Sequence, residues 1–167
     1  GVLAVELHSK MNTLGGDTVG MLSAGVQEAE RNFAALVVAT DAVNFSVGAN
    51  LMLLLLEAQE GNWDELDMMV RAFQQATMAL RYSPVPVVVA PAGLTLGGGA
   101  EVVLHGDRVQ AAAETYLGLV EVGVGLIPGG GGTKERRARG RAGLPTAQSD
   151  SLPYVQKEYE TVARAKV

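Results

Sequence analysis

Two short apolar runs restrict this chain more than any other feature: AALVVAT at residues 34–40 and PVVVA at residues 86–90. Each has strand length and stays apolar almost to its end. A strand with one wet face alternates apolar and polar residues. An unbroken run is the pattern of a strand covered on both faces, as in a parallel sheet flanked by helices. The flanks agree. Residues 2–7 (VLAVEL) read as a strand. Residues 18–33 carry Val19, Leu22, Val26 and Ala29 at helical spacing, with Glu28, Glu30 and Arg31 on the other side. Strand, helix and buried strand in that order make a βαβ unit, so the expected class is α/β with a parallel sheet.

The remaining chain follows the same logic. Residues 44–51 (NFSVGANL) form a glycine-containing loop directly after the second strand, where ligands collect in α/β folds. Residues 51–58 read as a helix. Residues 64–81 read as a longer one, with Leu66, Met69, Val70, Phe73, Ala76 and residues 78–80 on its buried side and Ser83 and Pro84 ending it. A turn is predicted at 93–99, a helix start at 100–104, short strand-like pieces at 109–113 and 116–119, and a glycine-rich loop at 123–133. Beyond Thr133 the character changes. KERRARGRAG is basic without a clear apolar face, and 153–166 offers only a thin helical stripe. The expected organisation is a core at 1–133 and a loosely tied tail at 134–167.

Composition narrows the function classes. The chain has 167 residues, 48% hydrophobic and 19% charged, which is a globular balance and enough for one real core. A net charge of −5 argues against nucleic acid as the main partner. There is no cysteine, which excludes disulfides, a thiolate nucleophile and Cys-ligated metal, and fits a cytoplasmic location. The two histidines, His8 and His105, have no nucleophile-elbow neighbour, and no carboxylates cluster at ligand spacing, so no metal is expected. Residues 51–56 are the most lipophilic run but far too short to span a bilayer. The first residue is not Met and no signal peptide is visible, so a piece of a longer chain is expected.

The chemistry concentrates between residues 94 and 133, where glycines surround two carboxylates in apolar sequence. Glu101 sits between GGGA and VVL, and Glu121 between GLV and VGVG. Burial raises a carboxyl pKa toward neutrality, as a general acid or base requires. The plainer alternatives are a carboxylate satisfied at a helix N-terminus for Glu101 and a surface residue at a strand end for Glu121. Gly97, Gly98 and Gly99 let the backbone approach a ligand, and a free N–H there can stabilise an oxyanion. The loop Gly48-Ala49 offers a second such donor. Residues 129–132 invite a phosphate-loop reading, but no Lys-Ser/Thr follows in register, and no third glycine completes a dinucleotide fingerprint. His105 is expected to be a hydrogen-bonded structural residue, and Asp107 with Arg108 a pair or cap.

Taken in order, NFSVGANL, PVPVVVAPAGLTLGGGAE and VEVGVGLIPGGGGT resemble the crotonase (enoyl-CoA hydratase/isomerase) family, most of all the hydratase segment of bacterial multifunctional fatty-acid oxidation proteins. The resemblance implies a crotonase-like (ClpP/crotonase) ββα superhelix, incomplete at both ends. It implies hydration of a trans-2-enoyl-CoA in fatty-acid β-oxidation. Glu101 and Glu121 would be the catalytic glutamates, with Ala49 and Gly98 as the oxyanion hole. Lys10, Met11, Asn12 and Leu14 would contact the CoA, and Leu51, Leu54 and Leu55 would line the acyl pocket. No cofactor is implied within this chain, NAD belonging only to a separate dehydrogenase domain. The implied partners are the acyl-CoA and either a trimer-based homo-oligomer or other domains of the parent polypeptide. Double-bond isomerisation and a non-catalytic acyl-CoA-binding role are the alternatives.

Overall fold

The computed structural model describes residues 1–142, and side chains through 139. Four strands form a parallel sheet in the order β1 (Val2–Glu6), β2 (Ala35–Ala39), β3 (Val87–Val89) and β5 (Arg108–Val109). A second sheet pairs β4 (Gly93–Leu96) with β6 (Thr115–Gly118), also parallel. The helices are α1 (Gly16–Asn32), α2 (Leu51–Glu60), α3 (Trp63–Arg81), α4 (Gly98–His105) and α5 (Gly132–Ala142). None of the described helices is long and apolar enough to cross a membrane.

The core follows from the pattern of the strands and α1. Val5 pairs in register with Val38, and Val38 with Val89. These residues, with Leu36 and Val87, are packed under Leu22, Val26 and Ala29 of α1 and Ala76 and Leu80 of α3. The expected burial on both faces is only partly met. Leu36 and Val38 are fully buried while Ala35, Val37 and Ala39 remain half-buried, and Val88 is likewise half-buried between two buried valines. The face carrying Leu36, Val38, Val87 and Val89 is buried at the two central strands, whereas the other face there is half-buried and both residues of the edge strand β5 are exposed.

Three further expectations are corrected. The turn predicted at 93–99 is a strand, β4, up to Leu96, and only Gly97 (φ 52°) makes the turn. Leu94, Thr95 and Leu96 find ladder partners in Tyr116, Leu117 and Gly118, which the glycines around them conceal in the sequence. The buried side assigned to α3 holds only for its second half: Ala76, Thr77 and Leu80 are buried, whereas Val70 is exposed. The basic stretch after Thr133 is no loose tail through residue 142 but the body of α5. Its anchors are polar. Glu135 is buried with one carboxylate oxygen 3.1 Å from Arg81 and the other 3.2 Å from Lys134. Arg139 donates from Nε to the Leu104 carbonyl at 2.9 Å and from Nη2 to the Gly106 carbonyl. The helix predicted at 153–166 lies outside the described residues.

Candidate active site

Glu101 lies in the first turn of α4, a helix buried along its whole length, and is 2% exposed. Its carboxylate accepts the Gly130 N–H at 2.9 and 3.0 Å on its two oxygens and the Gly132 N–H at 2.9 Å. Gly132 opens α5, whose first N–H groups have no acceptor within the helix and whose dipole favours an anion. A carboxylate satisfied by backbone donors is thus found, but the donors belong to α5 and the turn before it, not to the helix that carries Glu101. The glycines are required for this approach. A Cβ on Gly130 would stand 2.7 Å from Glu101 Oε2, and one on Gly132 would stand 2.7 Å from Glu101 Cγ.

Burial lifts the Glu101 pKa to about 7 from its ordinary 4.5. The Gly132 N–H opposes that shift, the charge of Glu121 adds to it, and the Gly130 N–H opposes it. Glu121 begins a 3-10 turn, Glu121–Val124, and is half-buried. It is therefore not the surface residue its flanks also allowed. Its carboxylate lies over Gly97, where a Cβ would be 3.4 Å from Oε1. Glu121 Oε2 is buried without a hydrogen-bond partner among the described residues, and burial raises this carboxyl too. The charge of Glu121 thus adds to the upward shift that burial gives Glu101. Donors favour the ionised form on Glu101. An orphan buried oxygen on Glu121 favours a proton there.

The two glycine loops converge. Ser46 joins β4, donating its N–H to the Leu94 carbonyl at 3.1 Å and accepting the Leu96 N–H at 2.9 Å. This lays residues 46–49 beside 96–98. Gly48 has φ 90°, and a Cβ there would meet Leu96 O at 3.0 Å and Gly98 N at 3.3 Å, so only glycine permits the approach. Gly98 is the first residue of α4, so its N–H has no acceptor within that helix. Ala49, directly after Gly48, is exposed at the same rim.

The other expected site residues divide. Of the four CoA candidates, Lys10 and Met11 are exposed, while Asn12 and Leu14 point inward. Asn12 donates to Thr40 Oγ1 at 2.9 Å and to the Asn44 carbonyl at 3.0 Å, which pins the loop around residue 44. Leu14 packs against Gly98, where a Cβ would be 2.9 Å from its Cδ1. These two shape the site's floor from inside. Of the acyl candidates, Leu51 and Leu55 are exposed and Leu54 is half-buried, on a helix with no buried residue. α2 exists because of its caps: Asn50 Oδ1 accepts the Leu53 N–H at 3.3 Å, and Gly61 closes the end in the left-handed region.

His105 is fully buried with Nδ1 2.7 Å from the Glu101 carbonyl, the structural role expected of it, and Asp107 Oδ2 caps β3 through the Val87 N–H at 2.9 Å. What the sequence left invisible is the source of the Glu101 donors, 29 and 31 residues away. Their only signal is the glycine run that fails as a phosphate loop. Also unforeseen is a surface group of Glu6, His8 and Asp41 whose ligand atoms lie within 4.8 Å of one another. All three are exposed, and a 3.0 Å contact between His8 and Glu6 accounts for their approach.

Comparison with known proteins identifies the family to which the chain is similar. The family model for enoyl-CoA hydratase/isomerase matches residues 1–145. The chain is 47% identical over 170 residues to the probable 3-hydroxyacyl-CoA dehydrogenase of Bacillus subtilis, covering 99% of this chain and 20% of that protein. It is 38% identical over 135 residues to a Rickettsia felis protein that carries the name of a fatty acid oxidation complex trifunctional enzyme, covering 81% and 19%. Among solved structures, an enoyl-CoA hydratase from Polaromonas sp. JS666 superposes with a TM-score of 0.78 at 26% identity, over 90% of this chain and 58% of that one. The chain thus spans about a fifth of the length of the two relatives.

Proposed function

The chain belongs to the enoyl-CoA hydratase/isomerase family, and on that premise we propose that it is the hydratase segment of a multifunctional fatty-acid oxidation polypeptide, adding water to trans-2-enoyl-CoA. The observation that supports this reading is the buried Glu101 and half-buried Glu121, both with carboxyls raised by burial, beside two converging glycine loops. Isomerisation by a single base would leave the second buried carboxyl without a task.

The roles are those the family resemblance implies, and the geometry supports them. The thioester carbonyl of the substrate accepts the N–H groups of Ala49 and Gly98. Glu101, ionised above its pKa of about 7, takes a proton from water while the water oxygen bonds to C3. The 2,3-double-bond electrons move toward the carbonyl, and the negative charge collects on the thioester oxygen between the two N–H groups. Removing one such donor typically costs about 3–4 kcal/mol of transition-state stabilisation. Glu121 in its protonated form, which burial favours, gives a proton to C2. The product is a 3-hydroxyacyl-CoA, and one proton passes from Glu101 to Glu121 through solvent to reset the pair.

Lys10 and Met11 are the members of the CoA set exposed to a ligand, and Leu51, Leu54 and Leu55 offer apolar surface to an acyl chain. This chemistry uses no cofactor of the chain. NAD would serve a dehydrogenase domain elsewhere in the parent polypeptide, whose other domains or a homo-oligomer would be partners, in the cytoplasm. The test is product analysis in ¹⁸O-water. Crotonyl-CoA should yield 3-hydroxybutyryl-CoA with the label at C3, and Glu101→Gln should slow its formation by about 10²–10⁴. A 3-enoyl-CoA that is isomerised faster than crotonyl-CoA is hydrated would overturn the reading.

A further inference from the structure

We infer that Gln74, an exposed residue of α3, is a positioning residue for Glu101, acting through the peptide unit that joins Gly129 to Gly130. A trans peptide unit is planar, with its C=O and N–H on opposite sides. In this unit the carbonyl of Gly129 accepts Gln74 Nε2–H at 2.7 Å, and the N–H of Gly130 is shared by both oxygens of Glu101 at 2.9 and 3.0 Å. Whatever turns the carbonyl turns the donor. A bonded carbonyl also polarises its own N–H and strengthens the bond that N–H gives.

The second donor to Glu101 is built the same way. The N–H of Gly132 reaches Glu101 at 2.9 Å, and the carbonyl of the same unit, that of Gly131, accepts the Glu135 N–H at 3.2 Å. Glu135 is in turn tied to Arg81 of α3 at 3.1 Å. Between the two units, the Gly130 carbonyl lies 3.2 Å from Thr77 Oγ1, whose single proton it shares with the Gln74 carbonyl at 3.0 Å. Gln74, Thr77 and Arg81 stand at i, i+3 and i+7, which is one face of a helix. One stripe of α3 therefore grips every part of the turn that serves Glu101. Thr77 is buried and Arg81, itself partly exposed, closes an ion pair with the buried Glu135, so both also hold the fold. Gln74 is different. It is exposed, and an ordinary surface glutamine contributes little to stability. Its contact with a carbonyl 55 residues away has a consequence only through Gly130.

This inference rests on Glu101 as the base of the proposed hydration, so its test has a readout without substrate. Gln74→Met keeps the length and helix preference of the side chain and removes the donor. Gln74→Lys restores a donor. In the Met variant we expect the midpoint of the Glu101 carboxyl, read by ¹³C NMR in the absence of substrate, to move upward, because a donor that lowers it is loosened. We expect kcat for crotonyl-CoA to fall roughly five- to tenfold with KM unchanged, the scale of one weakened hydrogen bond. The acid limb of the rate profile should move up with the NMR midpoint, and Gln74→Lys should restore both at an unaltered melting temperature. A Met variant whose Glu101 midpoint stays where it is overturns the inference, whether or not the protein hydrates crotonyl-CoA. A Lys variant as impaired as the Met variant overturns it as well.

Discussion

Two halves of this molecule treat their residues in opposite ways. Around α4, β4 and the start of α5, even ionisable side chains are enclosed: Glu101, His105 and Glu135 are all buried and held by backbone or ionic contacts. Along α2 and the first half of α3, large apolar side chains are bare: Met52, Leu55, Trp63 and Met68 are each more than half exposed. The described residues supply the backbone donors and the second carboxylate that act on the Glu101 proton. It leaves uncovered the apolar surface that would meet the acyl chain. A site needs its acid–base groups fixed before substrate arrives, whereas an acyl group brings its own covering.

The largest test of that contrast is Glu101→Gln. Loss of a general base should lower kcat by about 10²–10⁴, measured with crotonyl-CoA. Leu80→Ala, on the enclosed side, should destabilise the fold by about 2–5 kcal/mol in urea titrations. Gly130→Ala forces a Cβ to within 2.4 Å of Phe73 Cε1 and 2.7 Å of Glu101 Oε2. It should cost about 1–3 kcal/mol from overpacking and lower kcat as well. Leu55→Ala, on the bare side, should change stability by less than about 0.5 kcal/mol while raising KM for longer acyl chains more than for short ones. A large loss of stability there would remove the contrast.

The pH dependence sharpens the same comparison. In the fold Glu101 keeps its proton up to about 7, against an ordinary value of 4.5. The folded state thus binds more protons than the unfolded one in that window. The stability this adds is fully present below about 4.5 and is lost as pH rises through about 7. The melting temperature relative to Glu101→Gln should fall across that window. The hydration rate should rise across the same range, since the base must be ionised.

What the sequence reveals and conceals divides along physical lines. β2, β3 and α1 are legible because their apolar spacing is the spacing of the element, and Leu22, Val26 and Leu36 are in the core as read. The two glutamates are legible because charges in apolar sequence are conspicuous. β4 is concealed because Gly93 and Gly97 bracket it and its partner comes from 115–118. α5 is concealed because its hold is polar: an ion pair to Arg81 and donors from Arg139 leave no apolar stripe. Asn12 and Leu14 match a ligand loop in sequence, yet the left-handed backbone at Met11 and Asn12 turns both inward. No local pattern can announce that a peptide unit at Gly129 is gripped by α3 and feeds a carboxylate on α4.

The central claim is that the two carboxylates work as one pair on one thioester. It is tested most directly by following the enoyl-thioester absorbance of crotonyl-CoA with the protein and with Glu121→Gln. The account predicts steady loss with the unaltered protein and a rate at least about 100-fold lower in the variant, the lower bound for a general acid. Equal rates would show that Glu121 delivers no proton and that the pair is not the site's working unit.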